Sequence, residues 1–264
     1  MAIHASAQVH PTAHVEDGAE IGAGVHIGAF CLVGAEVVLA QGVELRSHVV
    51  ITGKTQIGAG SVVFSFAVLG EIPQDLKFDG EATRLILGAR ATVREHVTMN
   101  TGTKGGGGVT RIGDDCLFMA GCHVAHDCQI GNNVIVVNNA ALAGHCVLAD
   151  EVIVGGLVGV HQFVRIGRGA IIGALSMVTA DVLPHGLVQA SRGTLEGLNL
   201  VGLKRRGVAR ADITALRAAL MALKDGEGNF QDRAGRLCEE TDSEYVREMA
   251  EFILAGSDRG FLTP

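Results

Sequence analysis

The stretch AEIGAGVHIGAFCLVG, residues 19–34, repeats itself every six residues. Ile21, Ile27 and Val33 hold one position, Ala19, Val25 and Cys31 stand two earlier, and Gly22, Gly28 and Gly34 follow directly. Extended outward, the frame reads Ile3, Val9, Val15, Ile21, Ile27, Val33, Leu39, Leu45, Ile51, Ile57, Val63 and Leu69, all aliphatic. It breaks at Asp75 and Glu81, then resumes at Leu87, Val93 and Met99. It breaks again through GTKGGGGVT (102–110) and restarts one residue out of phase at Ile112. From there it runs through Phe118, Val124, Ile130, Val136, Leu142, Leu148, Val154, Val160, Ile166, Ile172 and Val178. The position two before stays small or short, as in Ala7, Ala13, Cys116, Cys122, Cys128, Ala140 and Cys146. The glycine just after the aliphatic residue suits a tight corner.

A six-residue period of this kind is the signature of a parallel β-helix. Three six-residue sides make one triangular coil of eighteen residues, and successive coils stack at roughly 4.8 Å. The reading therefore gives a mainly β protein, with a prism over residues 1–190 and two excursion loops near 70–86 and 100–111. After DVLPHG (181–186) the repeat stops. Asp212 is expected to cap a helix through ITALRAALMALK (213–224). NFQDRAGRLCEE (229–240) and SEYVREMAEFILAG (243–256) are amphipathic at helical spacing, so residues 191–264 read as a small α-helical domain.

Composition narrows the function. Among 264 residues there are 37 glycines, one tyrosine and no tryptophan, so the core is aliphatic. The net charge of −7 argues against sequence-independent nucleic-acid binding. No apolar run approaches a membrane span. The opening MAIHASAQVHPTA lacks a basic region followed by an apolar one, so no secretory signal is read and a cytoplasmic location is expected, with the six cysteines as thiols.

GCHVAHDCQIG (121–131) raises three readings: a metal site, a redox site, or a general base with its partner. The frame puts Cys31, Cys116, Cys122, Cys128 and Cys146 on the small inward position, where cysteine is a small hydrophobe; only Cys238 lies outside the repeat. His123, His126, His145 and His161 avoid both inward positions. Adding one coil places His126 under Gly144 and Asp127 under His145. A glycine above a histidine leaves room for a substrate and exposes a backbone N–H, and Asp127 is placed to orient the imidazole. On the residues alone the bland alternative is a surface histidine beside a corner glycine. A zinc site also stays open, because histidine is the commonest metal ligand.

Several segments together carry a resemblance. QDLKFDGEATRL (74–85), HVAHDCQIGN (123–132), NNAALAGHC (138–146), GVHQFVRIG (159–167) and LNLVGLKRRG (198–207) resemble the acyl-ACP–UDP-N-acetylglucosamine O-acyltransferases, which start lipid A synthesis in Gram-negative bacteria. The resemblance spans essentially the whole chain and implies a left-handed coil. It implies transfer of a 3-hydroxyacyl group from acyl carrier protein to the 3-hydroxyl of UDP-GlcNAc, with no cofactor or metal. His126 matches the base, Asp127 the group that holds its tautomer, and the Gly144 N–H the oxyanion donor. His123 and His145 match sugar contacts. Gln74, Asp75 and Lys77 match residues near the sugar and the acyl 3-hydroxyl, and His161 and Gln162 match residues lining the nucleotide and acyl region. Asn199, Arg205 and Arg206 match the nucleotide end, with Lys204 and Arg210 left for the acidic carrier. Ala174 matches the residue that closes the acyl groove. Two positions depart: Val201 stands where relatives often carry an acid, and Arg192 where they place a histidine. The family implies a homotrimer with shared sites.

Several rivals remain on the sequence, the blandest a non-catalytic scaffold, which would have no reason to cluster His126, Asp127 and Gly144 in register. An N-acyltransferase of the next lipid A steps usually carries an added N-terminal domain, whereas the repeat here begins at Ile3. A 3-amino UDP-sugar would use the same base. A zinc carbonic anhydrase of γ type resembles a pair of histidines five apart plus a third, a spacing this chain lacks.

Overall fold

The computed structural model describes residues 2–189 and 193–263. Short strands stack into three faces of nine, eleven and nine strands among the described residues, all parallel except the last strand of the second face, Thr194–Leu198, which pairs antiparallel with Gly186–Gln189. Face 1 begins at Ala2–Ile3, face 2 at Gln8–Val9 and face 3 at His14–Val15. Each strand pairs with the one a coil away, as in Ala2↔Glu20 and Ile3↔Ile21. The aliphatic frame and the small position two before it both point inward, and Val25, Ile27, Val43, Leu45, Val134 and Val136 are fully buried. Phe118 is the one aromatic ring in this core, and its register neighbours Val93 and Val136 are short enough to leave it room.

The register explains the frame shift. Ile57 pairs with Leu87, so the first excursion inserts twelve residues, two whole hexads, and the frame survives. Leu87 pairs with Ile112, so the second inserts seven and moves the frame by one.

The glycines that follow the aliphatic position are not there for corner dihedrals. Gly22, Gly28, Gly58, Gly113 and Gly167 are absent from the positive-φ residues. A Cβ at Gly58 would instead fall 2.4 Å from the backbone of the coil above. The left-handed corner conformation comes three after the aliphatic residue, and side chains such as Phe66 (φ 66°), Asp127 (φ 61°) and His145 (φ 64°) adopt it.

The inward cysteines have a second use. The Sγ of Cys31, Cys116, Cys122, Cys128 and Cys146 each donates to the corner carbonyl fifteen residues on: Arg46, Gly131, Val137, Ala143 and His161. A thiol fits where alanine or valine would, and it satisfies a carbonyl that the strand ladder leaves over.

Four helices follow: α1 (Leu200–Arg205), α2 (Arg210–Asp225), α3 (Phe230–Glu240) and α4 (Glu244–Leu254). Asp212 does not cap α2. The N-cap is Ala209, with no side-chain cap bond, and Asp212 sits in the first turn, where its carboxylate accepts from Ser243 Oγ at 2.7 Å. Asn229 and Asp232 close a reciprocal capping box on α3. A second apolar cluster, with Leu183, Leu195, Leu203, Leu216, Leu223 and Ile253, binds the helices to the end of the prism. Arg165 on face 1 pairs with the buried Asp181 at 2.6 Å and also donates to the Gly256 carbonyl after α4.

Candidate active site

His123 and Val124 form a face 3 strand, and the corner that leads from it back to face 1 carries Ala125, His126 and Asp127. Because Val124 must point inward, His123 points out, and the corner throws His126 to the outer edge. One coil up the same corner carries Ala143, Gly144 and His145, locked by His145 N–H donating to the His126 carbonyl at 3.0 Å. His126 thus packs beneath Gly144, as the eighteen-residue count requires. A Cβ at Gly144 would lie 2.5 Å from His126 Cε1 and 2.6 Å from Nε2, so the ring occupies the space a side chain would need.

Asp127 is fully buried at its side chain, whereas His126 keeps 14% of its side chain exposed. His126 Nδ1 lies 2.8 Å from Asp127 Oδ2, which leaves Nε2 for the cleft. The carboxylate also accepts Thr103 N–H at 2.8 Å and Thr103 Oγ at 2.6 Å. The backbone N–H of Asp127 donates to Thr110 Oγ at 2.8 Å. The second excursion therefore folds down over the carboxylate. Among the described residues the Gly144 N–H donates to no backbone carbonyl.

His145 reaches the same carboxylate oxygen at 3.8 Å through Nε2, meets His126 edge-on at 5.0 Å between ring centroids, and stacks on Phe163 at 4.3 Å. Burial, reinforced by the nearby His126, pushes the His123 imidazole below its ordinary pKa. Burial does the same to His145, although Asp127 and Asp75 pull the other way. His123 Nδ1 sits 2.7 Å from Thr98 Oγ, leaving its other nitrogen toward the cleft.

Two clefts meet at this corner. One of about 370 Å³ is lined by Gln74, His123, His126, Gly144, Gly159 and Gln162. The other, about 550 Å³, is lined by Asp75, Lys77, Thr103, Lys104, His145 and Phe163. The first excursion spans both, with Gln74 on one side and Asp75 on the other. His126, Asp127 and His145 offer ligand atoms within 4.8 Å of one another, the one such group among the described residues. Asp127 Oδ2 is already shared by Thr103 and His126, however, so this geometry suits an oriented base better than a metal cage.

Other expected residues lie elsewhere in the chain. Asn199 caps α1 by accepting from Gly202 N–H at 2.9 Å and donates to the Gly169 carbonyl at 3.0 Å. Arg206 pairs with Glu151 at 2.8 Å. Gly169 and Glu151 mark the corner between faces 1 and 2, not the corner of His126. Lys204 and Arg205 are exposed at the end of α1, Arg210 opens α2, and Val201 is exposed. Ala174 is exposed on the third corner, between faces 2 and 3. His161 lines neither cleft, and its ring instead meets the Arg259 guanidinium. Arg192 falls outside the described residues.

The sequence reading missed Thr98, Thr103, Thr110 and Phe163. Phe163 lies one coil above His145 and was reachable by the same count. Thr98 and Thr103 were hidden by the seven inserted residues, which break that count. The glycine run after Thr103 was the available clue, since a Cβ at Gly106 would lie 2.0 Å from Asp127 Cγ.

Comparison with known proteins agrees with this geometry. The model of the family described as "Udp N-acetylglucosamine O-acyltransferase; Domain 2" matches residues 181–262. That of "Bacterial transferase hexapeptide (six repeats)" matches residues 2–35 and 110–144. The acyl-[acyl-carrier-protein]–UDP-N-acetylglucosamine O-acyltransferase of Paracoccus denitrificans is 65% identical over 203 residues, 77% of each chain. The enzyme of the same name from Rhizobium johnstonii is 50% identical over 229 residues, 86% of this chain and 84% of its own. The solved UDP-N-acetylglucosamine acyltransferase of Campylobacter jejuni superposes with a TM-score of 0.91 at 39% identity, covering 97% of this chain and 100% of that one. With its left-handed parallel β-helix and helical tail, the chain belongs to the acyl-ACP–UDP-N-acetylglucosamine O-acyltransferase family.

Proposed function

We propose that this protein transfers a 3-hydroxyacyl group from acyl carrier protein to the 3-hydroxyl of UDP-GlcNAc, the first step of lipid A synthesis, with His126 as general base. The observation that carries the reading is His126 wedged between a buried Asp127 at 2.8 Å and a glycine that leaves its Nε2 uncovered. Nε2 takes the proton of the sugar hydroxyl as that oxygen attacks the thioester carbonyl. The Gly144 N–H donates to the oxyanion that forms, a contact of about 3 kcal/mol in comparable sites. The intermediate collapses by breaking the C–S bond, and His126 returns the proton to the departing thiolate. Asp127 holds the Nδ1 proton throughout. No step needs a serine or cysteine nucleophile, and the cysteines of the repeat point into the core.

His123, Gln74 and Gln162 face the same cleft and suit the sugar, while Asp75, Lys77 and His145 line its neighbour. Ala174 suits control of acyl length. Arg205 with the Asn199–Arg206 end of α1 suits the nucleotide, Lys204 and Arg210 the acidic carrier, and His161 the rim. These groups sit on three different corners of one prism, which supports a homotrimer whose sites form between neighbouring chains. Exposed Phe30, Phe66, Leu157, Leu175 and Met177 along face 3 and its corner with face 2 support the same reading. No helix among the described residues is long and apolar enough to cross a membrane, in keeping with a reaction between cytoplasmic substrates.

The test offers 3-hydroxyacyl carrier protein with UDP-GlcNAc beside its 3-amino analogue, with light scattering to give the mass in solution. Transfer to UDP-GlcNAc by a particle of three chains is expected. Transfer to the amino sugar alone would change the acceptor, and a monomer with full activity would remove the shared site.

A further inference from the structure

We propose that Thr103, on the second excursion loop, is a positioning residue that fixes where the proton sits in the His126–Asp127 pair. This rests on His126 acting as general base. Asp127 is buried and within hydrogen-bond reach meets only donors: Thr103 N–H on Oδ1 at 2.8 Å, and Thr103 Oγ and His126 Nδ1 on Oδ2 at 2.6 and 2.8 Å. Thr103 supplies two of these three bonds. Its hydroxyl has one proton, and its oxygen already accepts Gly106 N–H at 3.2 Å. That proton points to Asp127 Oδ2.

The consequence is directional. While the Thr103 hydroxyl proton points at Oδ2, a carboxylic acid at this spot has only His126 Nδ1 to accept its proton, and donating there would put the imidazole proton on Nε2, where it disables the base. With Thr103 donating, the carboxylate stays an acceptor and the imidazole proton stays on Nδ1. The loop is built for close approach. A Cβ at Gly102 would lie 2.8 Å from Asp127 Oδ1, and one at Gly106 would lie 2.0 Å from its Cγ. Other titratable groups facing the pair are His145, at 3.8 Å from Oδ2, then His123 and Asp75 on the cleft side and the Cys128 thiol on the core side. None of them donates a second short bond to the carboxylate.

The test is the pH profile of kcat for acyl transfer to saturating UDP-GlcNAc, for wild type, Thr103→Val, Thr103→Ser and Gly106→Ala. Thr103→Val keeps the backbone N–H and the shape but removes the hydroxyl. It is expected to lose about tenfold in kcat, with KM unchanged, and to move the acid limb of the profile up by about one pH unit. Serine restores both. Gly106→Ala pushes the loop off the carboxylate while keeping the hydroxyl, and moves the limb the same way. Should Thr103→Val fail to fold, the serine and Gly106→Ala pair carries the comparison. An acid limb that stays put in Thr103→Val or Gly106→Ala, whatever happens to kcat, overturns the proposal. His126→Ala in the same series separates the two ideas. If it collapses while the limb stays put, only Thr103 loses its role. If it remains active, the general base itself is wrong.

Discussion

Replacing Gly144 with alanine is the sharpest small perturbation of the site. The new methyl would stand 2.5 Å from His126 Cε1, 2.6 Å from Nε2 and 3.1 Å from Nδ1. Ordinary contact starts near 3.4 Å, so the ring must retreat by about 1 Å or swing away. Either motion strains the 2.8 Å bond to Asp127 and moves Nε2 from the cleft. A misplacement of this size costs about a hundredfold in rate. The backbone gives no second reason for damage, since Gly144 is not among the positive-φ residues. The ring has a solvent-exposed edge, so the fold should lose no more than the low end of the roughly 1–3 kcal/mol typical of overpacking. Gly156 provides the control. It holds the same place in its hexad, and a Cβ there meets only ordinary contacts of 3.5 and 3.6 Å. Steady-state kinetics and urea unfolding of both variants give the comparison. Gly144→Ala should lose about a hundredfold in kcat with nearly native stability, and Gly156→Ala should lose nothing in either. A Gly144→Ala enzyme within threefold of wild type would refute the claim that the ring must sit beneath a glycine.

Other predictions follow from the same packing. Five of the six thiols are buried, and burial pushes Cys116 and Cys122 up to about 11, so mass spectrometry after brief native alkylation should find label on Cys238 alone. The lowered pKa of His123 makes the unfolded chain bind that proton first. Its contribution is complete above about pH 6.5 and is lost as pH falls through the native value; His123→Gln should therefore flatten the fall in urea-measured stability as pH drops below about 6.5. Arg165→Met leaves the buried Asp181 without its cation and should cost about 3 kcal/mol, whereas Asp181→Asn with Arg165→Met together should recover part of it.

Why the prism was legible and parts of the site were not has a physical reason. A β-helix side must put one aliphatic and one small residue inward every six positions, so the sequence has few other ways to satisfy the core, and Ile3 to Leu69 show it without a break. The same periodicity converts chain distance into spatial contact, which is why His126 beneath Gly144 and Asp127 near His145 followed from counting. Counting fails at insertions. Thr103 lies within seven residues that leave the coil, and only the structure returns it to Asp127. The glycines after the aliphatic position looked like corner residues, but they answer to the backbone of the next coil. Asp212 looked like a cap because its residue type suits one, yet α2 begins two residues earlier and the carboxylate serves Ser243. Asn199 and Arg206 show the other limit: the family resemblance assigns them to a nucleotide, while within one chain they cap a helix and pair with Glu151, and a single sequence does not say which neighbour completes a site.

The most direct measurement is transfer of a 3-hydroxyacyl group from its carrier to UDP-GlcNAc by wild type and by His126→Ala, with the acylated position of the product determined and the fold of the variant checked. A 3-O-acyl product from the wild type, with kcat lower by a thousandfold or so in a folded His126→Ala, is the expected result, general-base catalysis contributing about 10²–10⁴. A folded His126→Ala enzyme that makes the same product at a comparable rate would contradict it.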